Sequence, residues 1–368
     1  MLLYNDNQIS KEIKQKFESY WKQDNTGAPL MHIVVDNNFN KPKKPLSAYF
    51  KNPEDMYTGA ENIVKFYQEY QQTHTFKAEA FMDYKANLGP GSLALYIGCQ
   101  PEFRWESLWY KEISEADWQN IIHQEFTLEA PWIKKHYELI KQIKTLTAGK
   151  FFIPIPDIIE SVDAMSALRG AQNLCYDFID YEEEMIDLIN KIDKYYLQVY
   201  DHFYNLLAPE TGGSGYAGFK VWGEGKVAKM QCDFCALMNP YQFKEFVIPS
   251  MKLECTHFDK PFYHLDGVDA IKHLPSLLEI ANLKAIQWTN GAGKPDGLWD
   301  GWYEDIYDKV IDAGKSLYIL VENNNPDYCI PGIKKLIDRY GTKALFIRFL
   351  DEMSEETANK IIREVGRM

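Results

Sequence analysis

Eight short apolar runs, each closing on a polar or ionisable residue, constrain the fold of this 368-residue chain more than any other feature. Leu30 to Val35 closes on Asp36, Ala78 to Met82 on Asp83, Phe151 to Pro156 on Asp157, and Val227 to Cys232 on Asp233. The fifth run ends at His264; Leu283 to Trp288 closes on Asn290, Leu317 to Val321 on Glu322, and Ala344 to Ile347 on Arg348. Helical patterns separate them, among them Pro53 to Gln72, Tyr181 to Leu207, Pro240 to His257, Trp302 to Ala313 and Ile330 to Tyr340. Strands that alternate with helices pair in parallel, because each crossover helix returns the chain to the same end of the sheet. Eight such units, in a chain longer than the roughly 250 residues of an ordinary barrel, predict a single (β/α)8 TIM barrel over residues 1–368. An open doubly wound sheet is the alternative.

The catalytic end of such a barrel is the rim where its strands stop. His264-Leu265-Asp266-Gly267 fits that position. On an extended segment, residues i and i+2 point to the same side, and a glycine lets the backbone turn away afterwards. The rim candidates are therefore Asp36, Asp83, Asp157, Asp233, His264, Asp266, Glu322 and Arg348, with Trp288 and Asn290 at the sixth strand. In the loop beyond it, either Trp299 and Trp302 cover a ligand face or Trp302 and Tyr303 at a helix start only staple it to its neighbour.

Before the first run, Ile9, Ile13, Phe17 and Trp21 recur at helical spacing, so residues 1–29 read as a helical extension packed on the outside or floor of the barrel. Between the second and third runs lie too many residues for one crossover. Residues 90–149 read as an insertion carrying a helix capped by Ser114, a second helix from Pro131 to Thr147, and an aromatic segment from Gly98 to Trp109 on the active-site side.

A formal charge of −13 argues against nucleic acid and anionic membrane as partners. Met1 to Asp6 lacks a cationic and apolar leader, and no run of about 18 apolar residues occurs, so a cytoplasmic protein is expected. The six cysteines are scattered, and reduced thiols are expected; Cys232 and Cys235 form a CxxC with no second pair to complete a four-cysteine zinc site. Gly213 to Gly218 has the GxGxxG spacing, but it follows a helix and precedes an extended run, the reverse of a pyrophosphate fingerprint. No nucleotide cofactor is expected.

Pro156 to Gly170 with Asp177 to Asp180, Asp233 with Leu237 to Phe246, and His264-Leu265-Asp266-Gly267 with Leu274-Pro275 together resemble the uroporphyrinogen decarboxylase superfamily, from roughly Ala78 to the C terminus. The resemblance implies a (β/α)8 barrel and two chemistries: cofactor-free decarboxylation of a porphyrinogen in tetrapyrrole synthesis, or zinc-dependent methyl transfer between a corrinoid and a thiol. Phe81-Met82-Asp83-Tyr84 is similar to the segment bearing the family's essential carboxylate. The family's Arg-rich N-terminal motif is missing, with Asp36-Asn37-Asn38-Phe39-Asn40 in its place, and the chain has six Arg in all. A polycarboxylate needs cationic partners, so methyl transfer is the favoured reading. Where related methyltransferases carry His-x-Cys, this chain has His264-x-Asp266. Zinc accepts nitrogen and carboxylate oxygen, so the resemblance implies a metal on His264 and Asp266 with Glu322 as third ligand, and Cys232 or Cys235 as sources of a thiolate. Asp83 and Asp233 would position a small methylated substrate; Asp36, Asp157, Trp288, Asn290, Trp299 and Arg348 would contact it. The corrinoid would arrive on a partner protein. A homodimer is possible, and a barrel that binds a small ligand without turning it over remains the alternative of another class.

Overall fold

The computed structural model describes residues 9–366; the segment Met1 to Asp6, on which the absence of a leader was argued, lies outside them. The strands are β1 (Leu30–Asp36), β2 (His74–Ala78), β3 (Gln100–Phe103), β4 (Leu108–Lys111), β5 (Val227–Met230), β6 (Lys260–Asp266), β7 (Ala285–Thr289), β8 (Ser316–Val321) and β9 (Leu345–Phe349). Seven form one sheet in the order β2-β1-β9-β8-β7-β6-β5, parallel except for the β1–β2 pair, while β3 and β4 make a separate hairpin. The result is an α/β fold whose strands are covered by helices. Every residue of β1 and of β8 is buried, as expected of parallel strands packed on both faces.

Six of the eight apolar runs are strands. The second and third are not, so among the described residues the sheet stays open between β2 and β5 rather than closing as an eight-stranded ladder. Ala78 stands at φ 54, which ends β2 and turns the chain before Asp83. In Phe151 to Pro156, Pro154 and Pro156 lack the N–H a ladder needs. Both segments nevertheless make backbone hydrogen bonds to neighbouring chain. Tyr84 N–H donates to Phe152 O (2.9 Å), and Ile155 exchanges hydrogen bonds with Gly215 O (3.0 Å) and Ala217 N (2.9 Å). The glycine-rich stretch is thus a structural strip lining the sheet: a Cβ on Gly215 would lie 2.3 Å from Val221 O, so only glycine fits the close approach.

The helix Lys11–Lys22 starts at a Ser10 cap and buries Phe17, Tyr20 and Trp21. Phe17 meets Phe346 edge-on at 5.5 Å, Tyr20 O accepts from Ser316 Oγ, and Trp21 Nε1 donates to Trp222 O. Ser316 and Phe346 stand at the starts of β8 and β9 and Trp222 precedes β5, so the helix floors the end opposite the candidate rim. In the 90–149 region, Ser114 caps the helix Glu115–His123 as expected, and Phe103 packs against Tyr57 and Trp132. Among the described residues no helix is long and apolar enough to cross a membrane.

Candidate metal centre

Alternation along the strands decides which side chains meet on the inner face. His264 pairs with Gln287 and Leu265 with Trp288, so His264 and Gln287 share one face while Trp288 takes the other. Trp288 is accordingly buried edge-on against Trp302 at 5.1 Å, and Trp299 stands against the far side of Trp302 at 4.9 Å with 43% of its surface exposed. Asn290 is buried and donates to Lys294 O, which shapes the following loop. None of the three meets His264.

Asp233, His264 and Asp266 do converge, each offering a ligand atom within 4.8 Å of the others. His264 Nε2 stands 3.7 Å from Asp266 Oδ2. The other ring nitrogen, Nδ1, is hydrogen-bonded to Gln287 Oε1. The Gln287 amide nitrogen already donates to Trp288 O (2.8 Å) and Thr289 Oγ1 (2.9 Å), so the oxygen faces the imidazole and Nδ1 must carry the hydrogen. Nε2 and two carboxylates then share one small space, an arrangement that a bound cation would balance. A histidine whose remote nitrogen is fixed by an acceptor is the arrangement metal-binding histidines adopt. Three nitrogen and oxygen ligands with a solvent-open side suit a catalytic zinc site, so the residues present fit the metal.

Asp233 is held from behind. On the helix Ser161–Arg169, Asp163 accepts the backbone N–H groups of Asp233 (2.8 Å) and Phe234 (2.9 Å), and Gln231 Nε2 donates to Asp233 Oδ2 (3.0 Å). Partial desolvation and the adjacent Asp163 raise the pKa of Asp233. Glu322 is exposed beyond β8 and is not part of this convergence; Asp233 occupies the third position assigned to Glu322 from the sequence. Cys232 and Cys235 are buried, and burial followed by the Asp163 charge pushes both thiols up, Cys235 to about 12, so neither is poised as a thiolate. All six cysteines are free.

The remaining rim carboxylates are paired with cations that the apolar runs concealed. Asp157 meets the fully buried Lys229 at 2.9 Å, and Asp83 pairs with Lys220. Burial works against the Lys229 ammonium, but Asp157 and Glu160 outweigh it and raise its pKa. Asp36 faces Lys43, His74 and Glu352 in a second cluster, where the Lys43 ammonium, 3.9 Å from Asp36 and bonded to Glu352, already supplies the positive charge. Arg348 donates to Gly218 O and to Tyr318 OH (3.2 Å), beside Asp83 rather than His264. Between the two groups stand Tyr318, which donates to Phe219 O (2.6 Å), and Phe219, whose ring lies 5.3 Å from that of His264. The mouth is therefore not uniformly acidic, contrary to what its carboxylates alone suggest. Lys229 and Gln231 were legible as lone polar residues at period-two spacing from Asp233, and Gln287 as a lone polar residue inside an apolar strand. Lys220, on a loop, left no such signal.

No protein-family model and no curated protein sequence matches the chain. Its fold is similar to the solved structure of a methyltransferase from Methanosarcina mazei, with a TM-score of 0.61 at 13% identity over 96% of this chain and 98% of that one.

Proposed function

We propose that the chain is a methyltransferase on a barrel of the uroporphyrinogen decarboxylase kind, passing a one-carbon unit between a corrinoid carried by a partner protein and a small acceptor. The observation that carries this reading is the convergence of Asp233, His264 and Asp266, with Nδ1 of His264 fixed by Gln287. The likeness in fold to a protein named as a methyltransferase supports it. The three residues would hold one divalent ion, zinc in the first instance. Bound there, it would supply a Lewis acid that lowers the pKa of the acceptor. The chain's own contribution is positional. Gln287 aims the imidazole, Asp163 and Gln231 aim Asp233, and the exposed sides of Asp233 and Asp266 leave room for an incoming group. The nitrogen and oxygen ligand set keeps the ion harder than a two-cysteine site would, which favours an acceptor bound through oxygen or nitrogen over a thiolate.

The experiment is metal analysis of the purified chain and of His264→Ala, paired with demethylation of methylcobalamin followed by absorbance. Stoichiometric zinc lost in His264→Ala together with its demethylation supports the reading. Turnover of uroporphyrinogen by a metal-free chain would replace it with the decarboxylase.

A further inference from the structure

We infer that the chain has a second binding site, separate from the His264 cluster, for the carboxylate of a small monoanion with an apolar body. The site is a cavity of about 220 Å3 between β1, β9 and the segment around Asp83, lined at its polar end by His32, Asp83, Lys85, Lys220 and Arg348. Phe66, Tyr67, Phe76 and Phe349 form the apolar remainder. His264 and Phe219 do not line it, and the contact path from Arg348 to His264 runs through Tyr318 and Phe219. The inference stands whether or not the His264 cluster holds a metal.

Two buried groups in this cavity lack partners. His32 is 2% exposed, and its ring nitrogens have no hydrogen-bond partner. Arg348 places one terminal nitrogen on Gly218 O and Tyr318 OH, but its buried Nε has no acceptor. Burying such donors unpaired costs about 1–3 kcal/mol each, a cost an acceptor in the cavity would remove.

Charge selects the acceptor. Lys85, Lys220 and Arg348 line the cavity with Asp83, Asp351 and Glu352, and because Glu352 is already held by Lys43, His74 and Tyr70, an excess of one positive charge remains. At the rim, Lys85 and Asp351 are exposed. The field registers on both neighbours: burial alone would raise Asp83, yet Lys220, Lys85 and Arg348 hold it below its ordinary value, while burial and then Lys220 and Arg348 keep His32 well below its own. One excess charge matches a monoanion, and the planar guanidinium matches a carboxylate. Lys220 is held at φ 54, a backbone conformation rare for a side-chain-bearing residue, which is the kind of strain that accumulates at ligand sites.

The test titrates the full-length protein with acetate and benzoate at constant chloride-adjusted ionic strength, with benzamide and benzylamine as neutral and cationic counterparts. Melting temperature and the 15N–1H resonances of the His32 ring are the readouts. Benzoate or acetate should raise the melting temperature and shift the His32 ring signals, the two counterparts should do neither, and Arg348→Gln should weaken binding about tenfold or more. Binding of neither carboxylate, an equal response to benzamide or benzylamine, or unchanged affinity in Arg348→Gln would overturn the inference. Should Arg348→Gln fail to fold, His32 signals that do not move with either carboxylate in the unaltered protein overturn it as well.

Discussion

Gln287 accepts the Nδ1 hydrogen of His264 across the β6–β7 ladder, and that one contact fixes both the tautomer and the aim of the imidazole. Replacing Gln287 with Leu removes the acceptor and leaves an apolar side chain of roughly similar size in the strand. Zinc affinity, measured by competition with a chromophoric chelator, should fall about 10–100-fold. Gln287→Glu should retain binding, because a carboxylate accepts the same hydrogen.

The Asp83–Lys220 pair joins residues far apart in sequence at a buried position. Lys220→Met leaves the Asp83 carboxylate without its nearest partner. Loss of one member of a buried pair typically costs 3–5 kcal/mol; with Arg348 and Lys85 still nearby, we expect about 2–3 kcal/mol in urea unfolding. Combining Asp83→Asn with Lys220→Met should recover part of that loss, since the Asp83 charge is then gone and Arg348 keeps its hydrogen bonds to Gly218 O and Tyr318 OH.

A pH-sensitive clasp ties residues 37–51 to the end of β9. Glu352 accepts from Tyr70 and Lys43 and lies 3.3 Å from His74 Nε2. The His74 hydrogen bond, with Lys43 and Tyr70, draws Glu352 from 4.5 down to about 2, while Glu352 raises His74 against the effect of burial. A lowered carboxyl contributes stability above its unfolded value that is lost as pH falls toward 2. A raised imidazole contributes stability below 6.5 that is lost as pH rises through its folded value. The clasp is therefore complete between about pH 4.5 and 6.5. Glu352→Gln should cost about 2 kcal/mol there, allowing for partial exposure, and much less near pH 2. Chemical unfolding across that range is the check.

Glu254 is wholly buried, and neither of its carboxyl oxygens has a hydrogen-bond partner. Burial, then Glu160 and Asp193, raise its pKa well above the ordinary value. Such a group favours the folded state least at high pH, because the unfolded chain releases the proton more readily. Glu254→Gln should therefore stabilise the protein at pH 8 by about 1–3 kcal/mol and leave it nearly unchanged at pH 4, as read by paired unfolding curves.

How much of this could be seen in the chain beforehand depended on what each residue's position encodes. Buried parallel strands show as continuous apolar runs, so β1 and β5 to β9 were visible, and the i, i+2 spacing of His264 and Asp266 at a strand end carried their shared direction. A strand end encodes a level in the fold but not an angle around it. Glu322 therefore looked equivalent to Asp233 until the backbone placed it out in solvent. The run from Phe151 to Pro156 is as apolar as any strand, and its two prolines were the sign that it would not join the ladder. Lys220 reaches Asp83 from an irregular loop, and no periodic pattern announces such a contact. That hidden lysine turned an apparently acidic mouth into two side-chain clusters of different charge.

Cobalt(II) substitution tests the central claim most directly, because its electronic spectrum distinguishes nitrogen and oxygen ligands from sulfur. The account predicts one bound cobalt with weak visible bands and no thiolate charge-transfer band, abolished by Asp233→Asn or His264→Ala and retained by Glu322→Gln. An intense thiolate band, or binding that survives Asp233→Asn and disappears in Glu322→Gln, would contradict it.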